Sequence, residues 1–166
     1  MSMRRSIPIL IAALLAADLA DARRGDRDQP MDLRADRQSG GLGDDDATVF
    51  SGNVEIDQGS LSIRAERATV ERRAGDIARI VLEGSPVRMD QRTDRGEPVN
   101  ATAARIVYTP GEEIVLLSGN ASVTQPRGVL RAETIRYNMD TGNIDSGGDG
   151  NRVRMTIQPK ARAAAN

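Results

Sequence analysis

Residues 49–66 read VFSGNVEIDQGSLSIRAE, and 67 positions later residues 116–133 read LLSGNASVTQPRGVLRAE. Seven of these eighteen positions are identical, and five of the other eleven exchange one apolar residue for another. A chain of 166 residues that states one pattern twice is restricted to folds built by stacking a small unit. The offset persists beyond this stretch. IRAERATVERRAGDI at 63–77 matches LRAETIRYNMDTGNI at 130–144, and VRM at 87–89 recurs at 153–155 with a one-residue slip. Fainter copies split the unit again, so the chain reads as four units starting near Leu33, Ile63, Ala101 and Leu130.

Within each unit the apolar residues recur every second position. Phe50, Val54 and Ile56 share one face against Ser51, Asn53, Glu55 and Asp57, and Leu117, Ala121 and Val123 repeat the pattern. Leu61-Ile63-Ala65 and Ile135-Tyr137-Met139 alternate in the same way. Period two is the mark of strands with one dry and one wet face. Turn residues separate the runs at Asp57-Gln58-Gly59, Ala74-Gly75-Asp76, Asp94-Arg95-Gly96, Pro110-Gly111 and Asp140-Thr141-Gly142-Asn143. The pattern predicts an all-β, antiparallel protein of short stacked hairpins with an exposed strand edge at each end, a hazard unless something pairs with it.

The repeated Gly-Asn is either a hairpin turn or a bend within one strand. The apolar phase runs through it unbroken (50, 54, 56 and 117, 121, 123), which favours the bend. On this reading Gly52 and Gly119 are inward positions and Asn53 and Asn120 face water.

Composition narrows the function. Residues 1–22 have the layout of a secretory signal peptide: Arg4 and Arg5, an apolar stretch from Ile7 to Ala17, then Ala20-Asp21-Ala22. The apolar stretch is shorter than the roughly 20 residues of a membrane span. Beyond the leader the chain holds 21 basic and 22 acidic residues, a balance that gives no reason to expect nucleic acid. It has no cysteine for a disulfide and no histidine, the commonest general base and metal ligand. Carboxylates are plentiful, but most sit on wet faces. Asp44-Asp45-Asp46 reads as an acidic loop tip, SGGDGN at 146–151 as a surface loop, and GGLGDD at 40–45 has no following helix to cradle a phosphate. The formal sequons at Asn100 and Asn120 are read as chance. With no Trp, one Phe and two Tyr, the chain lacks the rings on which sugars stack. An aliphatic interior suits hydrocarbon, each methylene removed from water gaining about 0.8 kcal/mol, although a filled core explains the same residues from periodicity alone.

DQPMDLRADRQS (28–39), TVFSGNVEIDQGSLSIRAERATV (48–70), GSPVRMDQ (84–91) and IVLLSGNASVTQ (114–125) resemble the LptA (OstA-like) family of periplasmic lipopolysaccharide transport proteins. The resemblance covers residues 28–158. It implies an OstA-like β-jelly roll of about sixteen antiparallel strands, V-shaped and open along one side, over residues 23–158, with 159–166 a disordered tail. It implies a non-enzymatic periplasmic carrier without cofactor or metal. Copies join head to tail in a bridge from LptC and the inner-membrane transporter to the N-terminal domain of LptD, and lipid A acyl chains lie inside. Matched motifs place Met31, Leu33, Met89, Ile106 and Tyr108 on the acyl-chain lining. Alternation adds Phe50, Val54, Ile56, Leu61, Ile63, Leu117, Val123, Leu130, Ile135 and Tyr137. Met89 stands where the family often has an aromatic residue. Two other readings are an LptC-like component of the same bridge and an exported β-jelly-roll carbohydrate-active protein.

Overall fold

Period-two alternation over stretches longer than ordinary strands produces ten strands in one sheet. The computed structural model describes residues 29–147 and 152–159; the leader at 1–22 and the tail from 160 lie outside the described residues. The strands are β1 (Asp32–Arg34), β2 (Arg37–Gly40), β3 (Ala47–Gln58), β4 (Leu61–Arg73), β5 (Asp76–Arg92), β6 (Pro98–Thr109), β7 (Ile114–Gln125), β8 (Gly128–Asn138), β9 (Ile144–Gly147) and β10 (Arg154–Ile157). All pairs are antiparallel. The order is β1-β3-β4-β5-β6-β7-β8-β10, with β2 also on β3 and β9 also on β8. A single 3-10 turn at Pro110–Glu112 is the only helical element among the described residues. Each predicted turn falls at or beside a strand end. The β7–β8 turn at Pro126-Arg127 was not among them.

The six long strands, β3 to β8, are each divided by a register break at the same level of the sheet. The four short strands cover one side of that level or the other, so the sheet comprises sixteen straight segments. This reconciles ten strands with the expected sixteen. We call the half that holds the 47–51 segment of β3 the upper half and the one that holds 54–58 the lower half.

The Gly-Asn pairs are the breaks in β3 and β7. Gly52 (φ 78) and Asn53 (φ 46) both adopt positive φ, as do Gly119 (φ 80) and Asn120 (φ 49). These are the two residue types that reach this region at least cost. Ser51 pairs with Arg67 and Val54 with Ala65, so two residues of β3 oppose the single Glu66 of β4, a β-bulge that sharpens the bend. In the second copy Gly119 and Asn120 oppose Glu133. Ser-Gly-Asn and Arg-Ala-Glu therefore recur together because one is the bulge and the other its partner.

The bent-strand reading holds, and both asparagines are exposed. The glycines do not face inward. A Cβ on Gly52 would meet the Asp36 carboxylate at 2.6 Å, and one on Gly119 would meet Ala104 Cβ at 2.8 Å, both on exposed residues. Positive φ turns these positions out of the pleat toward the neighbouring strand.

Candidate functional site: the apolar interior

Register carries the inward positions into rows that cross the whole sheet. In the lower half one row runs Leu33, Ile56, Ile63, Met89, Ala101, Val123, Leu130, Met155. In the upper half the matching row runs Gln38, Phe50, Ala68, Leu82, Ile106, Leu117, Ile135, Ser146. At about 4.8 Å per strand, eight strands make a row of roughly 34 Å. Each row is aliphatic through its middle and polar or solvent-exposed only at its ends.

The halves fold together, because residues of both rows form one buried cluster. Ile56, Ile63, Leu82, Ile106, Leu117 and Ile135 are each 0 % exposed. Full burial of such a side chain contributes about 1.5–3 kcal/mol. All fifteen residues expected on the lining lie in this cluster or against it. Val54, Ile56, Leu61, Ile63, Met89, Ile106, Tyr108, Leu117, Val123, Ile135 and Tyr137 are buried, while Met31, Leu33, Phe50 and Leu130 are partly buried.

Sequence reasoning missed Ala68, Val70, Ile80, Leu82, Val99 and Val115, all in the same cluster. For Ile80, Leu82 and Val115 the cause is an aliphatic row on the outward face of the upper half. Val49, Thr69, Val81, Val107 and Leu116 pair successively and are half-buried. Runs such as Ile80-Val81-Leu82 therefore lose their alternation. The signal that could have found these residues is partnership with a neighbour already assigned.

Opposite the bends, the strand ends of the two halves meet along a seam. Toward the N-terminal edge, Tyr108 Oη of the upper half donates to Gln58 Oε1 of the lower half at 3.5 Å. Toward the C-terminal edge the seam holds a 390 Å³ cavity. Its rim includes Thr93, Asp94, Arg95 and Glu97, with Gln125, and its floor reaches buried Tyr137 and Met139. A polar mouth thus leads to the apolar interior. Nearby, Gln91 Oε1 is buried without a hydrogen-bond partner.

The outward face is charged. Arg34 pairs with Asp57 and, at 3.5 Å, with Glu55; Arg64 reaches Glu55 at 3.3 Å, Arg79 reaches Glu71 at 2.7 Å and Arg105 reaches Glu83 at 3.9 Å. These exposed pairs contribute at most about 1 kcal/mol each and keep this face wet. No group of three or more potential metal ligands is gathered among the described residues. The Asp44–Asp46 loop is docked on the β4–β5 turn. The Ala74 amide donates to Asp45 Oδ1 at 3.1 Å, and the Gly75 amide donates to the Asp44 carbonyl at 3.1 Å.

A bent antiparallel sheet closed over facing aliphatic rows defines an all-β protein with an apolar interior running across the sheet. The model of the family described as LptA/(LptD N-terminal domain) LPS transport protein matches residues 33–143, and the chain belongs to that family. It is 32% identical to the lipopolysaccharide export system protein LptA of Escherichia coli K12 over 155 residues, 91% of this chain and 83% of that protein. It is 29% identical to LptA of Haemophilus influenzae over 157 residues, 92% of this chain and 91% of that protein. The crystal structure of Pseudomonas aeruginosa LptH, titled as the LptA homologous periplasmic component of the lipopolysaccharide transport device, superposes with a TM-score of 0.74 at 24% identity. That match covers 81% of this chain and 99% of that one, and shows the same fold, a β-jelly roll.

Proposed function

We propose that this chain is a periplasmic carrier that shields the acyl chains of lipopolysaccharide between its two sheet halves during export to the outer membrane. The observation that carries this reading is the pair of facing aliphatic rows that run from one edge of the sheet to the other. A core built only for stability closes at both ends, whereas the lower row ends on exposed Met155 and half-buried Leu33. Hydrocarbon needs no directional partner, so an interior without a polar anchor holds it by burial alone. The polar seam leaves phosphates and sugars in water while the chains lie inside. Membership of a family of lipopolysaccharide transport proteins supports the ligand.

The interior is filled by side chains in this structure, so uptake parts the two halves at the seam. The bare strand edges support end-to-end assembly by strand addition. In that assembly the chain joins further copies and, at the two ends of the bridge, an LptC-type partner and the N-terminal domain of LptD. The fifteen lining residues are the proposed acyl-chain contacts. The test is photo-crosslinking from Met89 and Tyr108 against outward-facing Arg88. Labelling of lipopolysaccharide from the two inner positions and not from Arg88 is expected. Equal labelling from both faces overturns the assignment.

A further inference from the structure

One residue common to both copies of the repeat, the Gln, is explained neither by the bends nor by the aliphatic rows. It belongs to a shorter motif. Val54-Glu55-Ile56-Asp57-Gln58 recurs as Val87-Arg88-Met89-Asp90-Gln91 and as Ala121-Ser122-Val123-Thr124-Gln125, on β3, β5 and β7. These strands run in one direction, and each carries its Gln two residues beyond the lower aliphatic row, on the seam side. With residues of the strands between, they make the row Gln58, Leu61, Gln91, Val99, Gln125. Neighbouring glutamines are two strands, or about 10 Å, apart. On the edge strand β10 the same place holds Ile157.

All three side chains turn inward. They share parity with Ile56, Met89 and Val123, which are 0%, 1% and 2% exposed. Gln58 meets Tyr108 across the seam, Gln91 Oε1 is buried, and Gln125 lines the seam cavity. Turn chemistry does not call for Gln, since turns favour Gly, Pro, Asn, Asp and Ser, and Gln91 lies within β5, ahead of the turn that begins at Thr93. Gln58 shows what such a position binds. Its Oε1 accepts from a hydroxyl, Tyr108 Oη at 3.5 Å, and its Nε2 donates to a carbonyl, that of Gln29, at 3.2 Å. Gln91 Oε1 is buried without a donor, in a row between Leu61 and Val99, whose side chains have none to offer. A buried carbonyl left so costs about 1–3 kcal/mol. A core built for stability alone would place an aliphatic residue there, as β4 does with Leu61 and β6 with Val99.

We propose that Gln58, Gln91 and Gln125 form a hydrogen-bonding rail for the amide and hydroxyl groups at the head of acyl chains, and that this rail distinguishes hydroxylated, amide-linked chains from plain hydrocarbon. Gln91 is its centre. This rests on the carrier reading above and specifies which acyl chains the carrier favours. The place fits the chemistry. The rail stands at the margin between the aliphatic interior and the wet seam, where the head of a chain lying inside must come. A primary amide offers a carbonyl to an O–H and an N–H to a carbonyl, the two groups that a β-hydroxyacyl amide presents and the two that Gln58 already engages. The rail carries no charge, so it selects neutral polar groups and leaves ionic ones to water. At Gln125 a guest has room: the 390 Å³ cavity opens between a polar rim and buried Tyr137.

The test measures binding by the full-length chain of purified lipid A and of two probes, an N-acylglucosamine whose chain carries a β-hydroxyl group and the same compound without it. The wild-type chain is expected to bind the hydroxylated probe about fivefold more tightly than the plain one. Gln91→Leu should erase that preference and weaken lipid A binding by a similar factor. Because the substitution removes a buried acceptor that has no donor, its urea midpoint should equal or exceed that of the wild type. A lowered midpoint marks Gln91 as a structural residue and overturns the rail. Gln125→Leu, at the open cavity, is a second reading and should narrow the preference about twofold. No preference between the probes in the wild-type chain, or a preference that survives both substitutions, overturns the rail and leaves the carrier reading standing if lipid A still binds. A wild-type chain that does not bind lipid A overturns the carrier reading, and the rail with it.

Discussion

The two Gly-Asn bulges sit 67 residues apart at equivalent places, yet their surroundings differ. The first is clasped by the edge strand. Asn53 Nδ2 donates to Asp36 Oδ2 at 2.9 Å, and the Asp36 amide donates to the Gly52 carbonyl at 2.9 Å. The second lies in the sheet interior against Ala104, with no such carboxylate. Both nonetheless hold the same pair of positive φ angles. The bulge is therefore set by the residues that can adopt it and by the need to bend every strand at one level. The clasp serves a different end, fastening a short edge segment that has only one neighbour.

That contrast can be tested in four ways. The largest effect is expected where the copies are most alike. Ile56→Asp and Val123→Asp each bury a charge among aliphatic side chains and should cost about 4 kcal/mol or more, read from urea midpoints. A difference above roughly 1.5 kcal/mol between them would break the equivalence of the two copies. Next come the glycines. Gly119→Ala drives a methyl into Ala104, which cannot swing aside, and is expected to cost about 2–3 kcal/mol; Gly52→Ala meets the movable end of Asp36 and should cost about 1–2 kcal/mol. The reverse order would show that the clasp is stiffer than the packing. Asp36→Ala should cost about 1 kcal/mol and speed amide exchange in β1 and β2, whereas Ala104→Ser should stay within about 0.5 kcal/mol. Smallest is Arg34→Ala, which removes exposed ion pairs beside the clasp; a loss under about 1 kcal/mol that fades in high salt is expected.

Much of this was legible in the sequence where the two faces of a strand differ in chemistry. Ile56 between Glu55 and Asp57, or Ile63 between Ser62 and Arg64, announces its direction. Ile80 and Leu82 flank Val81 and announce nothing, because the outward row of the upper half is aliphatic too. The bend was visible in the continuity of phase through Gly52-Asn53, but the direction of the glycines was not. Alternation fixes parity in extended backbone, and two successive positive φ angles leave extended backbone behind. The docking of Asp44–Asp46 on the β4–β5 turn was also illegible, since it depends on residues 29 positions away. The clustering of all fifteen lining residues followed from register, which the repeat carries and composition does not.

The alignment of the bends has a mechanical consequence. Because every long strand is interrupted at the same level, the ladder is already unpaired along one line across the sheet. Turning one half about that line, as a cover turns about the spine of a book, requires none of the paired ladder bonds on either side to break. Contact between the facing rows and the Tyr108–Gln58 bond at the far margin are among the things that resist the motion. A guest that replaces the first with contacts of its own meets little opposition from the backbone.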